Sequence, residues 1–342
     1  MLENETIYIL AIESSCDDTS AAVLMNDKVL SNVVATQEIH KEYGGVVPEL
    51  ASRAHQQNIV PVVDQAIAKA NIDKKQLSAI AFTRGPGLMG SLLVGTSFAK
   101  SLSLGLQIPL IEVNHMKAHI LAHYINDDSM KAPNFPFLAL TISGGHTQIV
   151  QVNDFFDMKI IGQTLDDAVG EAFDKSAKIL GLPYPGGPLI DKHAASGNPH
   201  KFEFPIPNVK ELNFSFSGLK TSILYFIQKQ TKENPDFIKN NLEDICASIQ
   251  YTIITILMRK LKKAVKQTGI KEIAIGGGVS ANSGIRKALI DAQTKFGWKT
   301  YIPKFEYCTD NAAMIGIVGY YKYKNEVFAQ QDVTAKARYL IS

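Results

Sequence analysis

Two stretches of this chain resemble each other, and one stands near the start of each half. Ala11-Ile12-Glu13-Ser14-Ser15-Cys16-Asp17-Asp18-Thr19-Ser20-Ala21-Ala22-Val23 and Leu140-Thr141-Ile142-Ser143-Gly144-Gly145-His146-Thr147-Gln148-Ile149-Val150 both read as an apolar strand, a tight polar turn, a threonine and a second strand. A duplicated α/β domain explains such a restart best. The length of 342 residues suits two domains of ordinary size.

The periodicity fills in the rest. Strands are expected over 7–12, 20–25 and 28–36, with Asn26-Asp27 as a hairpin turn. A helix follows over 48–70; Pro48 suits its first turn, and Pro61 is expected to kink or split it. A strand over 79–83, a helix over 91–104, a strand over 109–113 and a helix over 116–124 complete the first half. In the second half, 134–136 reads as a linker, 137–142 and 147–152 as strands, 166–180 and 242–267 as helices, and 272–275 as a strand. That strand runs into Gly276-Gly277-Gly278 and a further helix, and a last helix is expected over 311–321. Strands alternating with helices indicate a layered α/β protein.

Composition narrows the function. Hydrophobic residues make up 46% of the chain, ample for two cores without cross-links. The 35 Lys and Arg against 33 Asp and Glu leave a net charge of +2, so net charge alone predicts no strong attraction to nucleic acid or membrane. Cys16, Cys246 and Cys308 are too few and too scattered for a disulfide framework. No apolar run reaches the ~18 residues of a membrane span. The acidic N-terminus, Met1-Leu2-Glu3-Asn4-Glu5, argues against a targeting signal. A cytoplasmic protein is expected.

His115 and His119 stand four apart at a helix start, which puts both imidazoles on one face, as a divalent metal requires. His123 continues that face, so spacing leaves the pair 119/123 open as well. Met116 occupies the place of the zinc-protease glutamate. Asp310 suits a third ligand as well as a helix N-cap; with two histidines it makes a mixed N/O triad with open positions. Three glycine-rich turns, Ser143-Gly144-Gly145-His146, Tyr184-Pro185-Gly186-Gly187-Pro188 and Gly276-Gly277-Gly278-Val279-Ser280-Ala281-Asn282, are read at strand ends and together favour a nucleotide. No Walker A pattern occurs, and the acidic residue that a dinucleotide site wants after the third turn is missing. Asp166 and Asp167 read as partners of a helix dipole, whereas Asp174 lies mid-helix and is the better functional candidate. Arg259-Lys260-Leu261-Lys262-Lys263 reads as a solvated face, with an RNA-facing patch as the sharper alternative.

Taken together, these motifs are similar to one family. Ile12-Glu13-Ser14-Ser15-Cys16-Asp17-Asp18-Thr19, Gly44-Gly45-Val46-Val47-Pro48-Glu49, Asn114-His115-Met116 with His119, Ser143-Gly144-Gly145-His146-Thr147, Gly170-Glu171-Ala172-Phe173-Asp174-Lys175, Tyr184-Pro185-Gly186-Gly187-Pro188, Phe214-Ser215-Phe216-Ser217-Gly218-Leu219-Lys220 and Gly276 to Asn282 all match the bacterial TsaD family of tRNA threonylcarbamoyltransferases, across nearly the whole chain. The family's first motif reads E-T-S-C-D-E-T; Ser14 and Asp18 depart from it but keep the chemical type.

The resemblance implies an α/β fold of two duplicated actin-like (ASKHA, ribonuclease H-like) domains around a central nucleotide cleft. The expected division is 1–133 plus 325–342, and 134–324 with a helical insertion. It implies metal ligands at His115, His119 and Asp310, with His123 a bystander. The metal is expected to be one divalent ion per subunit, Fe2+ first and Zn2+ as the other candidate. It further implies substrate contacts at Thr141, Ile142, Ser143, Gly144, Gly145, Asp174, Gly187, Asp191 and Asn282. The activity would be transfer of threonylcarbamoyl from threonylcarbamoyl-AMP to N6 of the adenosine 3′ of the anticodon in tRNA, with Glu13 polarising the amine or accepting its proton. Implied partners are tRNA, a TsaB-like paralogue as heterodimer and a TsaE-like ATPase, or a homodimer when the chain acts alone, and no membrane. The competing readings are a metalloprotease and a non-catalytic nucleotide-binding scaffold.

Overall fold

The computed structural model describes residues 6–37, 39–128 and 130–341. The acidic segment 1–5 lies outside the described residues. The chain divides into two units, Met1–Ala132 with Pro303–Ser342, and Pro133–Ile302.

In the first unit, β1 (Tyr8–Glu13), β2 (Thr19–Met25) and β3 (Lys28–Ala35) form an antiparallel meander, with Asn26 in the left-handed conformation of a tight turn. The short α1 (His40–Tyr43) and the long α2 (Pro48–Ala70) lead to β4 (Ala79–Gly85), α3 (Met89–Leu106), β5 (Leu110–Asn114) and α4 (His115–Leu121). β4 pairs parallel to both β1 and β5, and the sheet runs β3-β2-β1-β4-β5. Leu10 and Ile12 on one face of β1 pack with Ile59, Val62, Val63 and Ala66 of α2 and Ala99 of α3. Pro61 does not split α2, one of the two outcomes expected of it: it lies on the exposed face, beside exposed Gln57, whose carbonyl is the one left without a donor.

The second unit repeats this path. β6 (Phe137–Ile142), β7 (Thr147–Val152) and β8 (Met158–Gln163) form a second meander. α5 (Val169–Ile179), α6 (Gly186–Ala194), α7 (Ser217–Glu233) and α8 (Phe237–Thr268) follow, then β9 (Glu272–Gly276), α9 (Ser283–Phe296) and β10 (Lys299–Tyr301). β9 pairs parallel to β6 and to β10, giving β8-β7-β6-β9-β10, the strand order of the first unit. The repeat expected from the two strand–turn–strand stretches is therefore realised as two sheets of one topology. Leu138, Leu140 and Ile142 of β6 pack with Val169 and Phe173 of α5 and with Ile249, Ile253 and Leu257 of α8.

The chain returns to the first unit at Pro303, not at 325 as expected, so the last helix, α10 (Ala312–Lys324), belongs to it. The reason is close packing: a Cβ on Gly316 would fall 2.2 Å from Leu24 Cδ1, and one on Gly319 would fall 2.6 Å from Ala81 Cβ. Two glycines let α10 lie flat on the sheet face that α2 and α3 leave uncovered.

Candidate metal centre and glycine turns

The residues of the first unit that carry chemistry gather at the carboxyl ends of β1, β4 and β5, the edge where open α/β sheets bind ligands. Glu13 ends β1, Thr83 lies in β4, and His115 opens α4 directly after β5. Asn114 fixes that junction: its side-chain oxygen accepts the backbone N–H of Met116 at 2.9 Å and of Lys117 at 3.1 Å, capping the helix. One turn on, His119 faces the same way as His115. Asp310 is not the cap of α10; Asn311 is, accepting from the Met314 N–H at 3.0 Å, which leaves the Asp310 carboxylate uncommitted to the helix.

His115, His119 and Asp310 converge. Asp310 Oδ1 lies 3.4 Å from His115 Nε2 and 3.3 Å from His119 Nε2, and the three donor atoms all fall within 4.8 Å of one another. Two donors bonded at about 2.1 Å to one tetrahedral cation sit about 3.4 Å apart. Both ring nitrogens of His119 are buried without a hydrogen-bond partner, a costly arrangement that a bound cation relieves. Two imidazoles and a carboxylate are a donor set that divalent transition metals accept. The residues therefore fit a metal ion. His123, buried in the 3-10 turn after α4, is not part of the trio.

Behind His115 stands Glu13, wholly buried. Its Oε2 lies 2.9 Å from His115 Nδ1 and accepts the Thr83 hydroxyl at 2.6 Å; its Oε1 accepts the Ser15 backbone N–H at 2.5 Å. Ser15 Oγ stands 3.2 Å from the same Nδ1. Burial alone would raise the Glu13 carboxyl, but His115 outweighs it and keeps Glu13 ionised. Burial likewise opposes charge on His115, yet Glu13 and Asp310 together lift its pKa. His119, desolvated and beside His115, is held neutral. Asp310, despite burial, is held well below the ordinary carboxylate range by the two imidazoles. A carboxylate on Nδ1 fixes the tautomer whose Nε2 lone pair points to a cation.

Three donors of the chain engage the oxygens of Glu13, and the contact with Nδ1 places it behind the His115 ring. Ser15 and Thr83, its partners, were not singled out in the sequence; Thr83 follows the apolar run Ala79–Phe82 and carries no signal there. His55, also missed, lashes the turn after β1: its Nδ1 lies 2.7 Å from Thr19 Oγ1 and its Nε2 3.0 Å from the Cys16 carbonyl oxygen. In that turn burial, Asp17 and Asp310 push Asp18 up to about 7.

In the second unit, the Ser143–Gly145 turn follows β6 and Gly276–Gly278 follows the parallel neighbour β9, so both stand at a carboxyl edge. They pack on each other: Gly277 has φ +88°, and a Cβ there would lie 2.5 Å from the Ile142 carbonyl oxygen. Gly144 and Gly145 are exposed with open space at their Cβ positions. Thr141 Oγ1 and Ser280 Oγ, beneath these turns, are buried without a protein partner. Ile142 is buried at the end of β6. The third glycine turn is not at a strand end. Tyr184–Pro188 follows α5 and opens α6, because Asp174 Oδ1 accepts the N–H groups of Gly186 at 2.8 Å and Gly187 at 3.0 Å. Burial raises the Asp174 carboxyl despite those two bonds.

Asp191 spends both oxygens on Ser283, at 2.9 Å to its N–H and 2.7 Å to its hydroxyl. Asn282 caps α9 through the Ile285 N–H at 3.0 Å and donates to Gln250 Oε1 at 2.8 Å. Asp166 is not a partner of the α5 dipole, since α5 begins at Val169. It accepts instead from Ser215 Oγ at 2.5 Å, Phe216 N at 2.7 Å and Ser217 Oγ at 2.9 Å, capping α7.

Fold and sites define an actin-like, ASKHA-type protein of two α/β units with a candidate His/His/Asp metal centre. The fold is shared with HypF from T. kodakarensis at a TM-score of 0.62, with 14% identity over 96% of this chain and 50% of that one. The family model described as TsaD: tRNA N6-adenosine threonylcarbamoyltransferase matches residues 28–317. The protein of that description from Christiangramia forsetii is 72% identical over 338 residues, 99% of each chain. That from Riemerella anatipestifer is 63% identical over 331 residues, 97% of each. This chain belongs to the TsaD family and is a transferase. No helix among the described residues is long and apolar enough to cross a membrane.

Proposed function

We propose that the chain transfers the threonylcarbamoyl group of threonylcarbamoyl-AMP to N6 of the adenosine 3′ of the anticodon in tRNAs reading codons that begin with A. The convergence of His115, His119 and Asp310, with Glu13 bonded behind His115, is the observation that carries this reading within the family. The N6 lone pair is delocalised into adenine, so the acyl donor must be strongly activated, and the mixed anhydride provides AMP as leaving group. The new bond joins N6 to the carbamoyl carbon, the C–O bond to phosphate breaks, and one N6 proton is lost. A divalent ion, Fe2+ first with Zn2+ also suited to two nitrogens and one oxygen, supplies Lewis acidity when bound. His115, His119 and Asp310 hold it; Glu13, Ser15 and Thr83 set the orientation of His115.

On the donor side, the exposed backbone of Ser143–Gly145 offers N–H groups to phosphate or carbamoyl oxygens. Asp174 Oδ2, with no hydrogen bond among the described residues, is the carboxylate oxygen available to a ribose hydroxyl. Asp191 and Asn282 act on the nucleotide through the turn they brace, since most of their polar capacity is spent within the chain. The near-neutral charge supports work with helpers, a TsaB-like paralogue and a TsaE-like ATPase. A homodimer is the arrangement when the chain acts alone. Three free cysteines accord with a cytoplasmic setting.

Incubation of the metal-loaded chain and helpers with threonylcarbamoyl-AMP and unmodified tRNA, followed by mass analysis of the nucleosides, tests the reading. Threonylcarbamoyladenosine formation that His115→Ala abolishes is expected. Unmodified tRNA with the wild type would overturn it.

A further inference from the structure

The second unit carries a basic pocket that neither the metal centre nor the glycine turns use. Ile206, Pro207, Asn208 and Val209 of the segment before α7 face Ile256, Arg259, Lys260 and Lys263 of α8 across a cavity of about 230 Å³. No acidic residue occurs between Asp244 and Glu272, while Arg259, Lys260, Lys262, Lys263 and Lys266 all fall in that interval.

Local stability does not account for these charges. Cations favour a helix C-terminus only within its last turn. α8 ends at Thr268, so Lys266 qualifies, but Arg259 and Lys260 stand two turns earlier. Arg259 and Lys263 are i,i+4 neighbours of like charge, a pairing that weakens a helix. Among the described residues, none of Arg259, Lys260 and Lys263 lies within ion-pair distance of a carboxylate. Lys260 donates to the carbonyls of Val209 at 2.7 Å and Glu211 at 2.9 Å, and Lys263 to that of Glu211 at 3.2 Å. Those bonds hold one wall of the pocket and leave one N–H of Lys260, two of Lys263 and all five of Arg259 unspent. Burial, and secondarily the nearby Lys263, depress the Lys260 pKa.

We infer that this pocket is a docking site for the phosphate backbone of RNA, the substrate class of the transfer reading on which the inference rests. Three unneutralised cations around a concavity give the local phosphate affinity that a net charge of +2 cannot.

The test measures tRNA affinity of the chain with its helper proteins over a salt series, for wild type, for Arg259→Gln with Lys263→Gln, and for Lys229→Gln on α7 as a charge control. Lys260 is left in place because it holds the 206–211 segment. The double variant is expected to lose about tenfold in affinity near 100 mM salt, and its log K against log salt slope to fall by about two. Lys263→Arg is expected to keep wild-type affinity. An unchanged slope, a loss matched by Lys229→Gln, or a lost association with a helper protein in place of tRNA would each overturn the inference while leaving the transfer reading intact. A wild type that neither binds nor modifies tRNA would overturn the transfer reading itself.

Discussion

Glu13 Oε2 stands 2.9 Å from His115 Nδ1, and this one bond decides which nitrogen of His115 faces Asp310. Carboxylates behind metal-bound histidines raise ligand basicity and hold the ring. Glu13→Gln is expected to weaken metal binding by about ten- to a hundredfold, read by competition with a chromogenic chelator. Unchanged affinity would show that Glu13 is only a buried packing residue.

The trio predicts a sharp contrast among neighbouring histidines. His119→Ala and Asp310→Ala are each expected to leave the purified chain without tightly bound divalent metal, whereas His123→Gln retains it. Elemental analysis of dialysed protein, with circular dichroism to confirm folding, checks this. Metal retained by Asp310→Ala would remove the carboxylate from the ligand set.

Gly277 cannot take a side chain without displacing the end of β6. Its φ of +88° and the 2.5 Å approach to the Ile142 carbonyl make Gly277→Ala destabilising by at least about 2 kcal/mol. Gly144→Ala, with open space around the Cβ, is expected to cost less than about 1 kcal/mol. Urea unfolding of both variants measures the difference.

Glu272 makes the second unit acid-sensitive. Burial would raise its carboxyl, but hydrogen bonds from Lys299 at 2.9 Å, Tyr301 at 2.7 Å and the Asn134 N–H at 2.9 Å hold it at about 2, against 4.5 ordinarily. A depressed pKa contributes stability that is complete above the unfolded value and fades as pH falls toward the folded one. Glu272→Gln is therefore expected to be less stable than wild type by about 2 kcal/mol at pH 6, and the gap to close steadily between about pH 4.5 and 2. A gap independent of pH would refute the assignment.

Much of the fold was legible because short apolar runs with tight turns encode strands directly. The first meander, the first two strands of the second and the span of α2 were readable in this way, whereas β8 was not expected. Other elements left weaker traces: β10 has three residues, and α6 opens with Gly186-Gly187-Pro188, which reads as a loop until Asp174 is seen to cap it. The return of the chain ahead of α10 was legible in principle. α10 is buried continuously from Ala312 to Gly319, and a helix apolar all round belongs inside a core and not between two units. At the site, histidine spacing gave the candidate ligands but not the choice between 115/119 and 119/123; that choice came from the family motif, and the distances to Asp310 agree with it. Spacing could not disclose that Glu13 lies against the His115 ring, since burial is a tertiary property.

The candidate ligand set draws on segments that flank the second unit: two histidines precede it, and Asp310 follows it. During synthesis the histidines therefore emerge long before their carboxylate, and the whole intervening sheet and its helices must be made first. Assembly of the candidate trio is thus a late event in biogenesis, and a nascent chain cut short before Pro303 lacks Asp310 however well its first strands have paired.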